Sequence, residues 1–304
     1  MEASPELEPQ MDAMDELRSL IARHCRGLLM ESAVPGLHLL HADAPCQPVN
    51  VIYEPKFCVI ASGRKDVQVG EQMFSYTAGQ YLLVSVDLPV SGWVREASTQ
   101  APYLALSVRL DPRLLAELVL ARPPRGKTAE DGPAIAISDL NAGLLDPLLR
   151  LVRLLDTPGD IAALAPLYER ELAYRLLQGD QADMLRQIAT QQGRMAQIAR
   201  AIRWIRSHYA EPLEIEALAG LANLSVSAFH RHFKQVTTLS PLQYQKNIRL
   251  QEARHRLFSA QADAASVGFA VGYESPSQFS REYRRMFGAP PLQDARAARQ
   301  VQAA

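Results

Sequence analysis

The sequence predicts an α+β chain of two domains: an N-terminal antiparallel β-barrel with flanking helices, and a C-terminal all-α domain with two helix-turn-helix motifs. Three observations carry this. Between Asn50 and Leu110 the apolar residues come in short runs broken by glycine and proline. Beyond Arg194 they recur at helical spacing. The pattern Ser227 to Lys234 returns, fifty residues on, as Ser277 to Arg284.

Taken in order, residues 1–12 are polar and contain proline, which predicts disorder. Met14 to Met30 carries Leu17, Leu20, Ile21 and Leu28 at helical spacing. Strands follow at Val51–Tyr53, Phe57–Ile60, Val67–Val69, Met73–Tyr76, Tyr81–Val84 and Leu104–Val108, with Gly63, Gly70, Gly79, Pro89 and Gly92 as separators. Six or more short strands with glycine turns suggest a small antiparallel barrel. A pocket lined by Tyr53, Tyr76, Tyr81 or Trp93 would take a small organic effector, although aromatics in such a place serve equally as plain core.

A metal site of the histidine-rich kind has no ligands here, since no histidine lies between His41 and His208. The carboxylates Glu54, Asp66, Glu71 and Asp87 show no paired spacing either. Gly70 and Gly79 precede no helix, so they form no phosphate-binding loop. No metal and no cofactor is expected.

Two helices follow, Leu144 to Leu155 and Ile161 to Leu177. The first is apolar at 144, 145, 148, 149, 151, 152, 154 and 155, more than one neighbour needs, so it either pairs with its copy in a homodimer or is sandwiched between the barrel and the second helix. Gly179-Asp180 and Gln191-Gln192-Gly193 are the expected hinges. The domains are accordingly 13–192 and 193–297.

In the repeated pattern Phe229/Phe233 and Phe279/Tyr283 are spaced i, i+4 and share one face, while the cations point elsewhere. Ser225 and Ser275 are placed to cap, Pro276 suits the first helical position, and Gly272 and Asn223 suit a left-handed turn. A short apolar helix precedes each copy, giving helix-turn-helix motifs at about 213–236 and 264–287. Between them Leu242 to Phe258 carries Leu242, Tyr244, Ile248, Leu250, Ala253 and Leu257 as a connecting helix of roughly 25 Å. Such a rod suits two reading helices about one DNA turn, roughly 34 Å, apart.

Leu218-Ala219, Ser240-Pro241, Tyr244, Arg249-Leu250, Ala253, Gly272-Tyr273, Phe279, Arg281 and Phe287 to Pro291 together resemble the AraC/XylS family of bacterial transcription regulators, over about Ala199 to Arg296. Tyr53-Glu-Pro55, Gly63-Arg-Lys65, Tyr81-Leu82, Ser85 to Pro89 and Ala101 to Leu104 resemble the cupin-like N-terminal sensor domain of one AraC subgroup. Two positions depart from the family pattern: Thr238 stands where glycine is frequent, and Gly268-Phe269 replaces the usual Ile-Ala. A glycine there is expected to loosen the second motif.

Charge points the same way without the resemblance. From Arg194 onward there are 15 Lys+Arg against 8 Asp+Glu, a net of +7, inside a chain whose total is −1. A basic domain with duplicated helix-turn-helix motifs predicts double-stranded promoter DNA as the partner. The side chains leaving the aromatic stripe near each helix start are the expected base readers: Ser227, His230 and Arg231, then Ser277, Gln278, Ser280 and Arg281. Lys234, Arg284 and Arg285 are expected on phosphates. RNA polymerase is a further partner if the chain activates.

The 304 residues, 48% apolar, suffice for a core in each domain. Cys25, Cys46 and Cys58 are odd in number and unpatterned, as reduced thiols are. An acidic N-terminus without an apolar run predicts no signal peptide, no membrane span and a cytoplasmic site. The expected protein is a regulator and not an enzyme; a cupin-type enzyme with a DNA-binding appendage is the alternative.

Overall fold

The structure, a computed structural model, describes residues 7–121, 133–189, 193–259 and 263–302. The chain divides into two compact units, one ending at Ala196 and the other beginning at Gln197, with Asn50–Ile52 grouped with the second.

In the first unit α1 spans Leu7–His24. Residues 7–12, expected to be disordered, are therefore helical; Pro9 falls in the first turn, where its missing N–H leaves no bond unmade. Residues 1–6 lie outside the described residues. The helix also stops before Leu28, which is exposed, because Gly27 takes a left-handed φ of 113° just past its end.

The strands are β1 (Leu29–Glu31), β2 (Leu37–Ala42), β3 (Val49–Tyr53), β4 (Lys56–Ser62), β5 (Arg64–Val69), β6 (Gln72–Thr77), β7 (Gln80–Val84), β8 (Leu88–Glu96), β9 (Tyr103–Arg109) and, after α2 (Pro112–Ala121), β10 (Ile135–Asp139). They form a six-stranded sheet, β1-β2-β9-β4-β7-β10, and a four-stranded sheet, β3-β8-β5-β6. The expected closed barrel is thus replaced by two open sheets. Short strands with glycine turns are equally the pattern of a two-sheet sandwich, and nothing in strand length encodes closure.

The glycines show where the chain changes sheet. Gly63 (φ 84°) joins β4 to β5 and Gly79 (φ 81°) joins β6 to β7, each linking strands of different sheets; Gly70 (φ 60°) makes the β5–β6 hairpin. A Cβ on Gly63 would lie 2.4 Å from the Glu96 carbonyl oxygen, so only glycine fits. Pro89 and Gly92, expected as separators, instead lie within β8.

Helices cover one face of the larger sheet. These are α1, α2, α3 (Ala142–Arg153), α4 (Ile161–Leu176) and α5 (Ala182–Ala189), with short 3-10 turns at Leu154–Asp156 and Pro158–Asp160. Alternate residues of the sheet, among them Phe57, Val59, Leu83, Leu104 and Leu106, join Leu17, Ile21, Leu144 and Leu148 in one core. Every apolar residue of α3 named from the sequence is buried inside the chain, between α1 and α4. The second helix, α4, thus lies against α3 as the sandwiched alternative expects, with α1 as a further neighbour, and the apolar residues at 144–155 are taken up inside the chain.

The second unit is helical: α6 (Gly193–Ser207), α7 (Ile215–Leu221), α8 (Val226–Thr237), α9 (Pro241–Ser259), α10 (Ala264–Ala270), α11 (Pro276–Phe287) and α12 (Pro291–Gln302). The expected hinge residues Gln191 and Gln192 lie outside the described residues. Along α9, Tyr244 meets Phe233 edge-on at 5.5 Å, whereas Leu250, Ala253 and Leu257 pack with Phe279 and Tyr283. One helix thus supplies the core of both motifs. Leu242, the first of the apolar residues named along it, is exposed.

Candidate nucleic-acid interface and sheet interior

Each motif is built by the same local physics. Asn223 (φ 55°) and Gly272 (φ 91°) turn the chain left-handed after the first helix, and the next N–H reaches back five residues, Leu224 to the Ala219 carbonyl and Tyr273 to that of Gly268. The Ser225 and Ser275 hydroxyls then accept from the N–H of Ala228 (3.3 Å) and Gln278 (3.4 Å). The two turns differ by one residue. Glu274 is extra in the second motif, so Asn223 and Gly272 are not related by the fifty-residue offset that relates the helices.

Phe229, Phe233, Phe279 and Tyr283 are wholly buried. On the opposite side Ser227, His230, Arg231, Lys234, Ser277, Gln278, Arg281, Arg284 and Arg285 are exposed, and Ser280 is half-buried. The amphipathic reading of α8 and α11 therefore separates an aromatic side from a polar, mostly cationic one. At the N-terminal ends of both helices the polar side combines hydroxyl and guanidinium donors, the His230 imidazole on α8 and the Gln278 amide on α11 with the positive end of the peptide dipoles, which suits base edges and phosphates.

Arg249 links the two motifs. Its guanidinium donates to the carbonyls of Tyr209 (2.6 Å), Glu211 (2.8 Å) and Ala210 (3.3 Å) ahead of α7, and to Gly272 (2.7 Å) in the second turn. Gln245 adds bonds to Tyr209 (3.1 Å) and Glu211 (2.7 Å). At Gly272 a Cβ would stand 2.2 Å from the Ala210 oxygen, so this close approach needs glycine as much as the turn does. Sequence reasoning carried Arg249 only as part of a resemblance; four carbonyls converging from distant loops leave no local signal.

Gly268 has a packing role beside its helix propensity. A Cβ there would lie 3.0, 3.1 and 3.3 Å from Cδ1, Cγ and Cβ of Phe279, so the missing side chain lets the second reading helix pack against α10. The glycine fills a packing need at the contact between α10 and Phe279.

In the first unit the structure divides the four aromatic pocket candidates. Tyr81 joins the helix-covered core, 4.9 Å from Phe57. Trp93 pairs in register with Asp66, on the far face of the small sheet, beneath Arg95 at 4.8 Å. Tyr53 and Tyr76 instead share the interior between the sheets with Tyr103, Cys58 and Lys65. Lys65 sits in register with Tyr76 and on the same side of β5 as the buried Val67 and Val69. That alternation was legible in the sequence and was passed over.

Burial opposes the Lys65 charge, but the phenol oxygens of Tyr53 and Tyr103 outweigh it and hold the ammonium above the ordinary lysine range. Burial likewise pushes the Tyr76 and Tyr103 hydroxyls and the Cys58 thiol up, so all three stay protonated. The one carboxylate on β5, Asp66, faces away and is engaged by Arg95 (2.6 Å) and Ser75 (2.7 Å). Among the described residues no cluster of three or more His, Cys, Asp or Glu is placed to hold a metal ion, and no helix is long and apolar enough to cross a membrane.

Two helix-turn-helix motifs whose second helices turn a mostly cationic side to solvent, on a chain with a separate sheet unit, define a DNA-binding protein with an added N-terminal domain. Residues 33–184, half of the chain, match the family model of the AraC-type transcriptional regulator N-terminus, and residues 218–297 match a helix-turn-helix domain. The chain belongs to the AraC family of transcriptional regulators.

Its relatives include the HTH-type transcriptional activator RhaS of Escherichia fergusonii, 35% identical over 96 residues, which are 32% of this chain and 34% of that protein. RhaS of Salmonella schwarzengrund is 29% identical over 155 residues, 50% of this chain and 54% of that one. The chain thus spans about half or less of the curated relatives it matches. In fold it is similar to ToxT of Vibrio cholerae, at a TM-score of 0.57 and 10% identity over 84% of this chain and 97% of that one. A fatty-acid-bound ToxT gives 0.55 at 9% identity, over 84% and 92%.

Proposed function

We propose that this protein is a cytoplasmic, sequence-specific regulator of transcription, without catalytic activity, that reads double-stranded promoter DNA with α8 and α11. The observation that carries this is the sidedness of the two helices: aromatic residues wholly buried on one side, and Ser227, His230, Arg231, Ser277, Gln278 and Arg281 open to solvent on the other. Ser280, half-buried, completes the second set at its margin. Lys234, Arg284 and Arg285 lie further along and contact phosphates, which orient without specifying. The named relatives are activators, which favours activation with RNA polymerase as the second partner. The first unit takes a small organic effector, and the support for this is its own interior, where Tyr53 and Tyr76 gather polar groups that a plain core would not contain.

The test is paired. Arg231→Ala and Arg281→Ala are each expected to weaken operator binding by about 1–3 kcal/mol at fixed salt while the melting temperature stays unchanged. Affinity for operator and for scrambled DNA is measured beside a melting curve. Equal losses on both DNAs would move these arginines from base edges to phosphates.

A further inference from the structure

The second reading helix carries a polar contact that neither its packing nor its cap requires. Glu282 follows Gln278 by one turn of α11, so the two side chains are neighbours on the helix surface. The carboxylate is anchored from two other places: Lys246 Nζ, on α9, donates to Oε1 at 2.8 Å, and the hydroxyl of the buried Tyr273 donates to Oε2 at 2.9 Å. Only 14% of the Glu282 side chain is exposed, whereas Gln278 stands open to solvent. Nε2 of Gln278 donates to the same Oε1 at 3.4 Å. A glutamine three residues past a capping serine can instead turn back onto the serine N–H, but this one runs forward.

Charge decides which way that amide faces. Burial opposes the Glu282 charge, but the donors Lys246 and Tyr273 outweigh it and keep the carboxyl ionised at neutral pH. An ionised carboxylate only accepts. The amide therefore turns its NH2 group toward Glu282, because the reverse orientation would set two acceptor oxygens against each other. At 3.4 Å the bond is a weak one, yet choosing between attraction and repulsion does not need a short bond. With one amide hydrogen taken, Gln278 keeps its carbonyl oxygen and one N–H for another partner. An acceptor beside a single donor complements adenine, which offers its N6 amino group and N7 in the major groove. Guanine, with acceptors at both O6 and N7, meets the carbonyl oxygen unfavourably.

We propose that Glu282 is a positioning residue for base readout: held by Lys246 and Tyr273, it fixes the Gln278 amide so that α11 takes adenine over guanine at the base pair Gln278 faces. The first motif has no counterpart, since Ala228 and His232 stand fifty residues earlier. This rests on the reading of Gln278 as a base contact and adds what sets its preference.

The experiment incubates the full-length protein, Gln278→Ala and Glu282→Gln with a pool of randomised double-stranded DNA, sequences the bound duplexes, and follows each variant with a melting curve. The parent is expected to enrich adenine at one position where Gln278→Ala enriches no base. At that position Glu282→Gln is expected to lose roughly tenfold of the adenine-over-guanine preference while the rest of the site is kept. A purely structural Glu282 would weaken all sequences alike and leave the preference standing, which overturns the proposal. Glu282→Asp, whose carboxylate is drawn back by one methylene, carries the same test should Glu282→Gln fail to melt cooperatively. Guanine enriched by the parent at the Gln278-dependent position also overturns it. If Gln278→Ala leaves every position unchanged, the base-contact reading of Gln278 fails and the proposal with it. If that variant changes one position and the Glu282 variants leave it alone, only the positioning role fails.

Discussion

The two helix-turn-helix motifs share a sequence pattern and close their cores differently. Around α8 the interior is mostly aromatic and aliphatic: Phe229 and Phe233 at 5.5 Å, Phe233 and Tyr244 at 5.5 Å, with Val236 and Leu239 also buried. Around α11 Phe233 is replaced by Tyr283, whose hydroxyl donates to Asp294 at 2.8 Å; Arg254 holds that carboxylate at 2.9 and 3.2 Å. A second polar knot joins Tyr273 (2.9 Å) and Lys246 (2.8 Å) to Glu282. Burial opposes the Glu282 charge, yet these donors and Gln278 hold its carboxyl below the ordinary range. Duplication has thus kept the aromatic face and the serine cap, while each copy satisfies its own margins: the first by apolar contact together with buried Thr237 and His232, which bond the Phe233 carbonyl and the Gln235 side chain, the second through charge-assisted hydrogen bonds.

The largest effects test what the motifs have in common. Phe229→Ala and Phe279→Ala each empty a wholly buried aromatic site and are expected to cost about 3–5 kcal/mol, abolishing the cooperative melting of the helical unit. A variant that melted like the parent would show that its motif adds little to the shared core. Next comes the link between them. Arg249→Met leaves the carbonyls of Tyr209, Glu211 and Gly272 without their charged donor and is expected to cost about 2–3 kcal/mol. Amide hydrogen exchange should then speed up on both sides, around Tyr209 to Glu211 and around Gly272. Faster exchange on one side alone would mean that the guanidinium serves a single motif.

How much of this was legible depends on whether the signal is local. Helix type, the aromatic stripe and the serine caps are set by residues within one or two turns of each other, and α8, α9 and α11 lie where their periodicity places them. The six strands between Val51 and Val108 were legible for the same reason, but their assembly was not. Sheet membership depends on Gly63 and Gly79 passing the chain from one sheet to the other, and a glycine in a hairpin reads the same as one in a crossover. β8 was missed because Pro89 and Gly92 read as breakers, although β8 pairs with β5 and Gly92 serves to admit Lys65. Of the pocket aromatics, Tyr53 and Tyr76 meet and Tyr81 and Trp93 do not, since one residue of register decides which face a side chain enters.

Smaller changes sharpen the comparison at the helix ends. Thr238 (φ 62°) and Gly288 (φ 80°) occupy the same left-handed C-cap fifty residues apart, and only the glycine is relaxed there. A β-branched residue in that conformation is strained by about 1–2 kcal/mol, partly offset because the Thr237 hydroxyl accepts the Leu239 N–H at 3.2 Å and so steadies the turn. Thr238→Gly is expected to raise stability by about 1 kcal/mol, and Gly288→Ala to lower it by about as much. No open space limits the latter, since nothing lies within 4 Å of the added Cβ, so its cost reports the backbone alone. Chemical denaturation of both variants checks the pair; a Thr238→Gly protein no more stable than the parent would mean that the threonine makes up its strain elsewhere.

The smallest effect concerns Gly268, where propensity and packing have opposite signs. Replacing a glycine inside a helix by alanine ordinarily gains about 1 kcal/mol. Here the new methyl would press on the Phe279 ring at 3.0 Å, and that ring is wholly buried, 5.3 Å from Tyr273 and 5.6 Å from Tyr283. Overpacking of this kind costs about 1–3 kcal/mol, so Gly268→Ala is expected to lose roughly 1 kcal/mol net where the propensity rule alone predicts a gain. With this contact in place the second motif is expected to be no looser than the first, and Arg281→Ala to weaken operator binding as much as Arg231→Ala does. A higher melting temperature for Gly268→Ala, together with a smaller operator loss for Arg281→Ala, would restore the looser second motif and show that Phe279 yields to a methyl group.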